Sequence, residues 1–151
     1  MIISTGEAGV VSSCFFWKLN REDIKDIFVV NHLNDSKKQK ILTGKNFYDY
    51  IQKTDFFDAI INRQLPKLQA IVHFNAYSFT TFFNADYYTK NNYEYSKVLF
   101  LRTFELGISF IYASSAETHG DEKYDCSDDI SKIKSLSPLN IYGSSKYIFD
   151  S

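Results

Sequence analysis

The stretch IISTGEAGVVSS, residues 2–13, decides the fold. Four β-forming residues, Ile2 to Thr5, run into a turn punctuated by Gly6 and Gly9, and a helical pattern starts at Val10. A strand, a glycine turn and a helix in that order make a site for an anion. The helix start exposes unpaired N–H groups and a partial positive charge, and the glycines let a pyrophosphate approach the backbone. The spacing Gly6-x-x-Gly9-x-x-Ser12 keeps two of the usual three glycines. The third small residue of such turns serves close packing of helix on strand, so Ser12 is a mild change. Glu7 is harsher, because a carboxylate beside a pyrophosphate repels it unless the side chain points to solvent. An ordinary tight turn is the competing reading, and two glycines do not separate the two.

Outward from this turn, short β-rich runs alternate with longer helical stretches, the pattern of βα units around a parallel sheet. A helix is expected from about Val10 to Leu19, with Val10, Ser13, Cys14 and Trp17 on one face and Trp17 in the core. DIFVVN, residues 26–31, reads as a second strand buried on both faces. A lysine-rich loop follows, with a short element near Phe47 to Tyr50, and then a helix through FFDAIINR that Thr54 would cap and Leu65-Pro66 would end. QAIVHF, residues 69–74, is the next buried strand. A helix from about Tyr87 to Glu105 closed by Gly107, a strand ISFIYA at 108–113, and a last helix starting near Asn140 complete the pattern.

At 151 residues the chain is long enough for one core and one domain. Its 17 basic and 18 acidic residues nearly cancel, so charge gives no argument for nucleic acid or an anionic membrane surface as partner. Cys14 and Cys126 are far apart with no metal-ligand spacing, which suits a reducing compartment. No apolar run approaches the roughly 20 residues of a membrane span, and no signal peptide opens the chain, so a cytoplasmic location is expected.

Candidate chemistry lies at the strand ends. Dinucleotide folds place an acidic residue after the second strand to bind the ribose, and here that end carries Asn31. An amide still hydrogen-bonds a hydroxyl and does not repel a 2′-phosphate, with which Lys37 and Lys38 could pair; this favours NADP over NAD. The same lysines also fit a solvated loop. Ser114 and Ser115 follow a buried strand, and Tyr142-Gly-Ser-Ser-Lys146 sits on the last helix with Tyr142 and Lys146 on one face. A lysine cation beside a tyrosine stabilises the phenolate, which could take a hydroxyl proton while hydride leaves the same carbon. Ser115 would hold the reacting oxygen. On most helices a Tyr-x-x-x-Lys pair is a surface contact, and its value here comes from the serine and the glycine turn.

Taken together these residues resemble the extended short-chain dehydrogenase/reductases, and within them the ADP-L-glycero-D-manno-heptose 6-epimerases. The resemblance runs over essentially the whole chain through TGEAGVVSS, VVNHLNDSKK, YDYIQKTDF, HFNAYSFTT, NNYEYSK, YASSAETHG and PLNIYGSSKYIFD, of which NNYEYSK and PLNIYGSSK are the more specific. It implies an α/β fold, a Rossmann-like doubly wound parallel sheet with NADP across the first turn. It also implies oxidation of the C-6 hydroxyl of an ADP-heptose to a transient ketone, with hydride returned to the opposite face, for lipopolysaccharide inner-core assembly. By resemblance Ser115 orients the substrate oxygen, Tyr142 is one acid/base, and Lys146 binds the ribose and tunes the tyrosine. Also by resemblance, Gly6, Gly9, Val10, Val11, Asn31, His32, Lys38, Lys53, Asn92 and the segment Asn75, Ala76, Tyr77, Ser78 and Phe79 line the cofactor. The family tends to form homo-oligomers.

Departures from the family are Glu7 and Ser12 where it has Gly, Asn31 where it has Asp, Asn75 where it has a small residue, and His119 where it has Tyr. Glu7 and Asn75 lead to an expectation of weak NADP affinity. The chain ends about one helical turn past Lys146. The expectation is therefore a domain, residues 1–151, truncated before the sixth strand and the substrate domain, without the second acid/base lysine of the family. A non-catalytic remnant that at most binds nucleotide, and another nucleotide-sugar epimerase or dehydratase, are the alternative readings.

Overall fold

A computed structural model describes residues 1–6, 9–31, 42–74, 76–81, 83–121 and 129–151. The chain divides into two compact units, residues 1–75 with 99–112, and residues 76–98 with 113–151.

The first unit is built on a parallel sheet of five strands: β1 (Ile2–Thr5), β2 (Ile27–Asn31), β3 (Asp49–Gln52), β4 (Ala70–His73) and β5 (Ser109–Tyr112). Their order is β3-β2-β1-β4-β5, that of a Rossmann-like doubly wound sheet through its first five strands. The sequence-derived fold class is borne out. The three inner strands are buried along nearly their whole length, as their continuous apolar runs predict, whereas β3 and β5 at the edges are half-exposed. Pairing aligns Thr5 with Val30 and His73, Asn31 with Gln52, and His73 with Tyr112, so the carboxyl ends of all five strands form one edge. Across that edge the Thr5 hydroxyl and His73 Nδ1, both buried, are hydrogen-bonded at 2.6 Å.

Helix α1 (Val10–Arg21) follows β1, and its buried residues are Ser12 and Phe16. The expected face of Val10, Ser13, Cys14 and Trp17 is therefore not the core face: Val10 is 83% exposed and Trp17 55% exposed, with the Arg21 guanidinium 4.8 Å from the indole centroid. The phase of the helix is set by the turn before it. Ser12 must lie under that turn, and this rotates Phe16 onto Ile27, Val29 and Leu42 and turns Trp17 outward. Helix α2 (Lys53–Ile61) continues directly from β3, so its N-cap is Gln52 and not Thr54, whose hydroxyl instead donates to Asp55 Oδ1 at 3.1 Å. It ends before Leu65-Pro66: Arg63 takes a left-handed conformation, φ 55°, and Gln64 N–H closes on Ala59 O at 2.9 Å.

Helix α3 (Ala85–Tyr88), a π-helical segment (Thr89–Glu94) and helix α4 (Tyr95–Leu106) are contiguous. Asn84 caps the start, its side chain accepting from Tyr87 N–H. Gly107, φ 64°, ends α4, with Ile108 N–H donating to Thr103 O at 3.0 Å and Gly107 N–H to Phe104 O at 3.2 Å. In the second unit a 3-10 turn (Ala116–Thr118) and a second one (Ile130–Ser135) lead to α5 (Ile141–Asp150), capped by Asn140, whose Oδ1 accepts from Gly143 N–H at 2.7 Å. No helix of the described residues is long and apolar enough to cross a membrane.

Candidate functional site

In the first unit the turn after β1 is closed from three sides. Gly6 has φ 84°, open to glycine and strained for other residues, and its N–H donates to Val30 O at 3.0 Å. Gly9 N–H returns to Gly6 O at 3.0 Å, and Ser13 N–H to Gly9 O starts the helix. Ser12 Oγ donates to Gly6 O at 2.6 Å and lies 3.1 Å from Gly9 O. A Cβ on Gly9 would stand 3.3 Å from both Gly6 O and Ser12 Oγ, so the turn is packed to the limit of a glycine. Val10 and Val11, at the start of α1, are exposed. Among the described residues the start of α1 has no side-chain cap and no acidic residue in its first turn, so its N–H groups are open to an anion.

Asn31 ends β2 on the same carboxyl edge; it is buried, and its carbonyl accepts from Tyr50 Oη at 2.9 Å. Lys53, the first residue of α2, follows β3 on that edge, and burial pushes its ammonium down to about 8. The expected cofactor residues Gly6, Gly9, Val10, Val11, Asn31 and Lys53 thus gather along the carboxyl edge of one sheet. Glu7, His32, Lys37, Lys38 and Asn75 lie outside the described residues.

In the second unit Asn92 sits in the π-helical segment and is completely buried. Its amide holds both backbone polar groups of Tyr77, accepting from Tyr77 N–H at 2.8 Å and donating to Tyr77 O at 3.0 Å. The same NH₂ is 3.0 Å from Ser145 Oγ, which donates to Tyr142 O at 2.7 Å. Asn92 therefore fixes the segment Ala76 to Phe79 and α5 to each other. Tyr77 packs against Phe79, Tyr87 and Tyr88, with ring centroids 5.1, 4.8 and 5.4 Å away.

Ser115 caps the first 3-10 turn, its Oγ accepting from Glu117 N–H at 3.2 Å and its carbonyl from Thr118 Oγ1 at 2.8 Å. Helix α5 presses on this turn through Gly143, where a Cβ would come within 2.4 Å of Glu117 O. Tyr142 and Lys146 stand one turn apart on α5. Lys146 is 2% exposed, and Nζ donates to Ala113 O at 2.7 Å, just before the serine pair. Burial pushes its ammonium down to about 8, against the attraction of Asp150. Ser115, Tyr142 and Lys146 are thus brought together in one unit, with the serine-bearing segment bonded to the helix.

Residues 2–151 match the NAD dependent epimerase/dehydratase family. The chain belongs to that family. Its cofactor class is accordingly a nicotinamide dinucleotide. Among curated relatives it is 43% identical over 151 residues to ADP-L-glycero-D-manno-heptose-6-epimerase of Nitratidesulfovibrio vulgaris, covering 99% of this chain and 47% of that protein. To the enzyme of the same name from Fusobacterium nucleatum it is 39% identical, covering 99% and 46%. The crystal structure of Helicobacter pylori ADP-L-glycero-D-manno-heptose-6-epimerase superposes with a TM-score of 0.79 at 24% identity, over 98% of this chain and 48% of that one. The chain spans about half the length of the curated relatives it matches.

Four residues of this family member escape a reading by motif. Ser12 clamps the glycine turn, Gly143 admits the 3-10 turn, Ser145 joins Asn92 to α5, and Asp150 lies beside Lys146 and Ser114. Of these Ser12 and Asp150 left sequence signals, the place of a third small residue after Gly9 and a carboxylate four residues after Lys146.

Proposed function

We propose that this chain is the nucleotide-binding part of an epimerase that inverts C-6 of ADP-D-glycero-D-manno-heptose, a supplier of lipopolysaccharide inner-core heptose, with NADP as the cofactor. The observation that carries this reading is the 43% identity over 99% of the chain to an ADP-L-glycero-D-manno-heptose-6-epimerase. A nicotinamide ring, when bound, accepts and returns a hydride. The chain's own residues supply the rest. The Gly6–Gly9 turn and the start of α1 receive the pyrophosphate. Asn31 meets the ribose hydroxyls without repelling a 2′-phosphate, and Lys53 offers a cation on the same edge. Ser115 holds the reacting oxygen, Tyr142 takes and returns the hydroxyl proton, and Lys146 favours the tyrosine's anionic form and binds ribose.

Titration of the purified chain with NADP⁺ and NAD⁺ by calorimetry tests the cofactor reading. The expected result is micromolar binding with NADP⁺ preferred, since Glu7 and Asn75 stand where the family has small residues. Submicromolar binding would show that these substitutions are neutral, and a preference for NAD⁺ would overturn the assignment of NADP. A second reading is that these 151 residues by themselves bind nucleotide without turnover. Conversion of ADP-D-glycero-D-manno-heptose by these 151 residues, lost in Tyr142→Phe, would exclude it.

A further inference from the structure

Asp150 is the one acidic side chain among the described residues whose carboxyl is both pushed up by burial and placed against a buried lysine of the candidate site. It follows Lys146 by four residues on α5, and Lys146 follows Tyr142 by four, so the three share one face. Its Oδ2 accepts a hydrogen bond from Ser114 Oγ, the neighbour of Ser115. Lys146 Nζ reaches the same segment one residue earlier, at Ala113 O, 2.7 Å away. Three consecutive residues after β5 are therefore bonded as follows: Ala113 to Lys146, Ser114 to Asp150, and Ser115 to the 3-10 turn on which α5 packs.

We propose that Asp150 is a positioning residue for the Ser115, Tyr142 and Lys146 set, tying the strand-end serine segment to α5 and supplying the negative charge against which Lys146 stays an ammonium. This rests on the reading of those three residues given above. Burial alone drives the Lys146 ammonium towards its neutral form, and a neutral amine would no longer favour a tyrosinate beside it. The other charged groups on the elements packed against α5 are Asp86, Lys90, Glu94 and Glu117; all are exposed, and the Glu117 carboxylate accepts from Asn140 Nδ2 at 2.5 Å. The phenols on those elements are Tyr87, Tyr88 and Tyr93, and those on α5 itself are Tyr142 and Tyr147. None of these replaces a carboxylate one turn from the lysine.

The test is a pH titration of the apo chain followed by NMR at Lys146 Nζ and Cε and at Asp150 Cγ. In the unsubstituted chain the Asp150 Cγ signal should show a second inflection at the Lys146 midpoint, near 8, because each group feels the charge of the other. In Asp150→Asn, which retains a hydrogen-bonding oxygen for Ser114, the Lys146 midpoint should fall by about one pH unit. Ser114→Ala, which removes the tie and leaves the charge, should lower it less. No second inflection at Asp150, or a Lys146 midpoint unmoved in Asp150→Asn, overturns the proposal. A purely structural Asp150 would move neither signal. The measurement uses no nucleotide and no sugar, so failure of this proposal leaves NADP⁺ binding untouched, and failure to bind NADP⁺ leaves the Lys146 titration readable.

Discussion

The hydroxyl of Ser12 occupies the space that a family glycine leaves empty, and in this chain it is a donor to the turn it packs against. Its bond to Gly6 O, at 2.6 Å, runs alongside the backbone bond from Gly9 N–H to the same oxygen, and the side chain is 1% exposed. A buried hydrogen bond of this kind contributes about 1 kcal/mol net, and its loss leaves little water to replace it. Ser12→Ala should therefore lower the urea unfolding free energy by about 1–2 kcal/mol. It should also speed amide exchange at Gly9 and Ser13 more than in the centre of the sheet. Equal exchange in both places, or an unchanged unfolding free energy, would mean that packing alone holds the turn. The turn itself was legible in the sequence because two glycines and a strand are local signals. The clamp was not, because the partners of a serine hydroxyl depend on the phase of α1, and that phase misled the reading of Trp17 as well.

Elements that end or begin on a local signal were read closely, and those whose ends are set by tertiary pairing were not. Asn140 and Gly107 marked the start of α5 and the end of α4, since a cap side chain and a left-handed glycine act within their own turn. Thr54 failed as a cap because the pairing of Asn31 with Gln52 extends β3 to the residue just before α2. Tyr142 and Lys146 were legible from their spacing, but the surface that receives their helix was not. Gly143 makes that surface possible, with Glu117 O where its Cβ would be and Pro138 Cβ at 3.0 Å. Gly143→Ala gains helix propensity of about 1 kcal/mol yet forces backbone away from backbone. Overpacking of that kind costs about 1–3 kcal/mol, so the melting temperature should fall despite the better helix former. An increase would show that α5 can draw back from the 3-10 turn at no cost.

A buried lysine, Lys146, and a half-buried one, Lys53, give the whole molecule a pH dependence that neither strand order nor motif reveals. Lys146 and Lys53 both titrate near 8 in the folded chain because burial penalises their charge, against an ordinary lysine value of 10.5. Between those values the unfolded chain holds protons that the folded chain has released, so stability rises with pH across the window; below about 8 both states are protonated and the penalty is complete. Tyr95 sets the upper edge, since burial pushes its phenol up and, above about 10, the folded chain keeps a proton that the unfolded chain loses. Within the window Lys146 contributes on the order of 2 kcal/mol. The urea midpoint should therefore climb from about pH 7.5 to about pH 9.5 and turn down beyond about pH 10. Lys146→Met keeps an unbranched side chain one atom shorter and removes its charge, so the climb should shrink to the part due to Lys53. The variant also leaves Ala113 O without its donor and Asp150 without its cation, which offsets its stability without restoring the slope. The slope is thus the quantity to compare, and an equal climb in Lys146→Met would place the buried charge elsewhere.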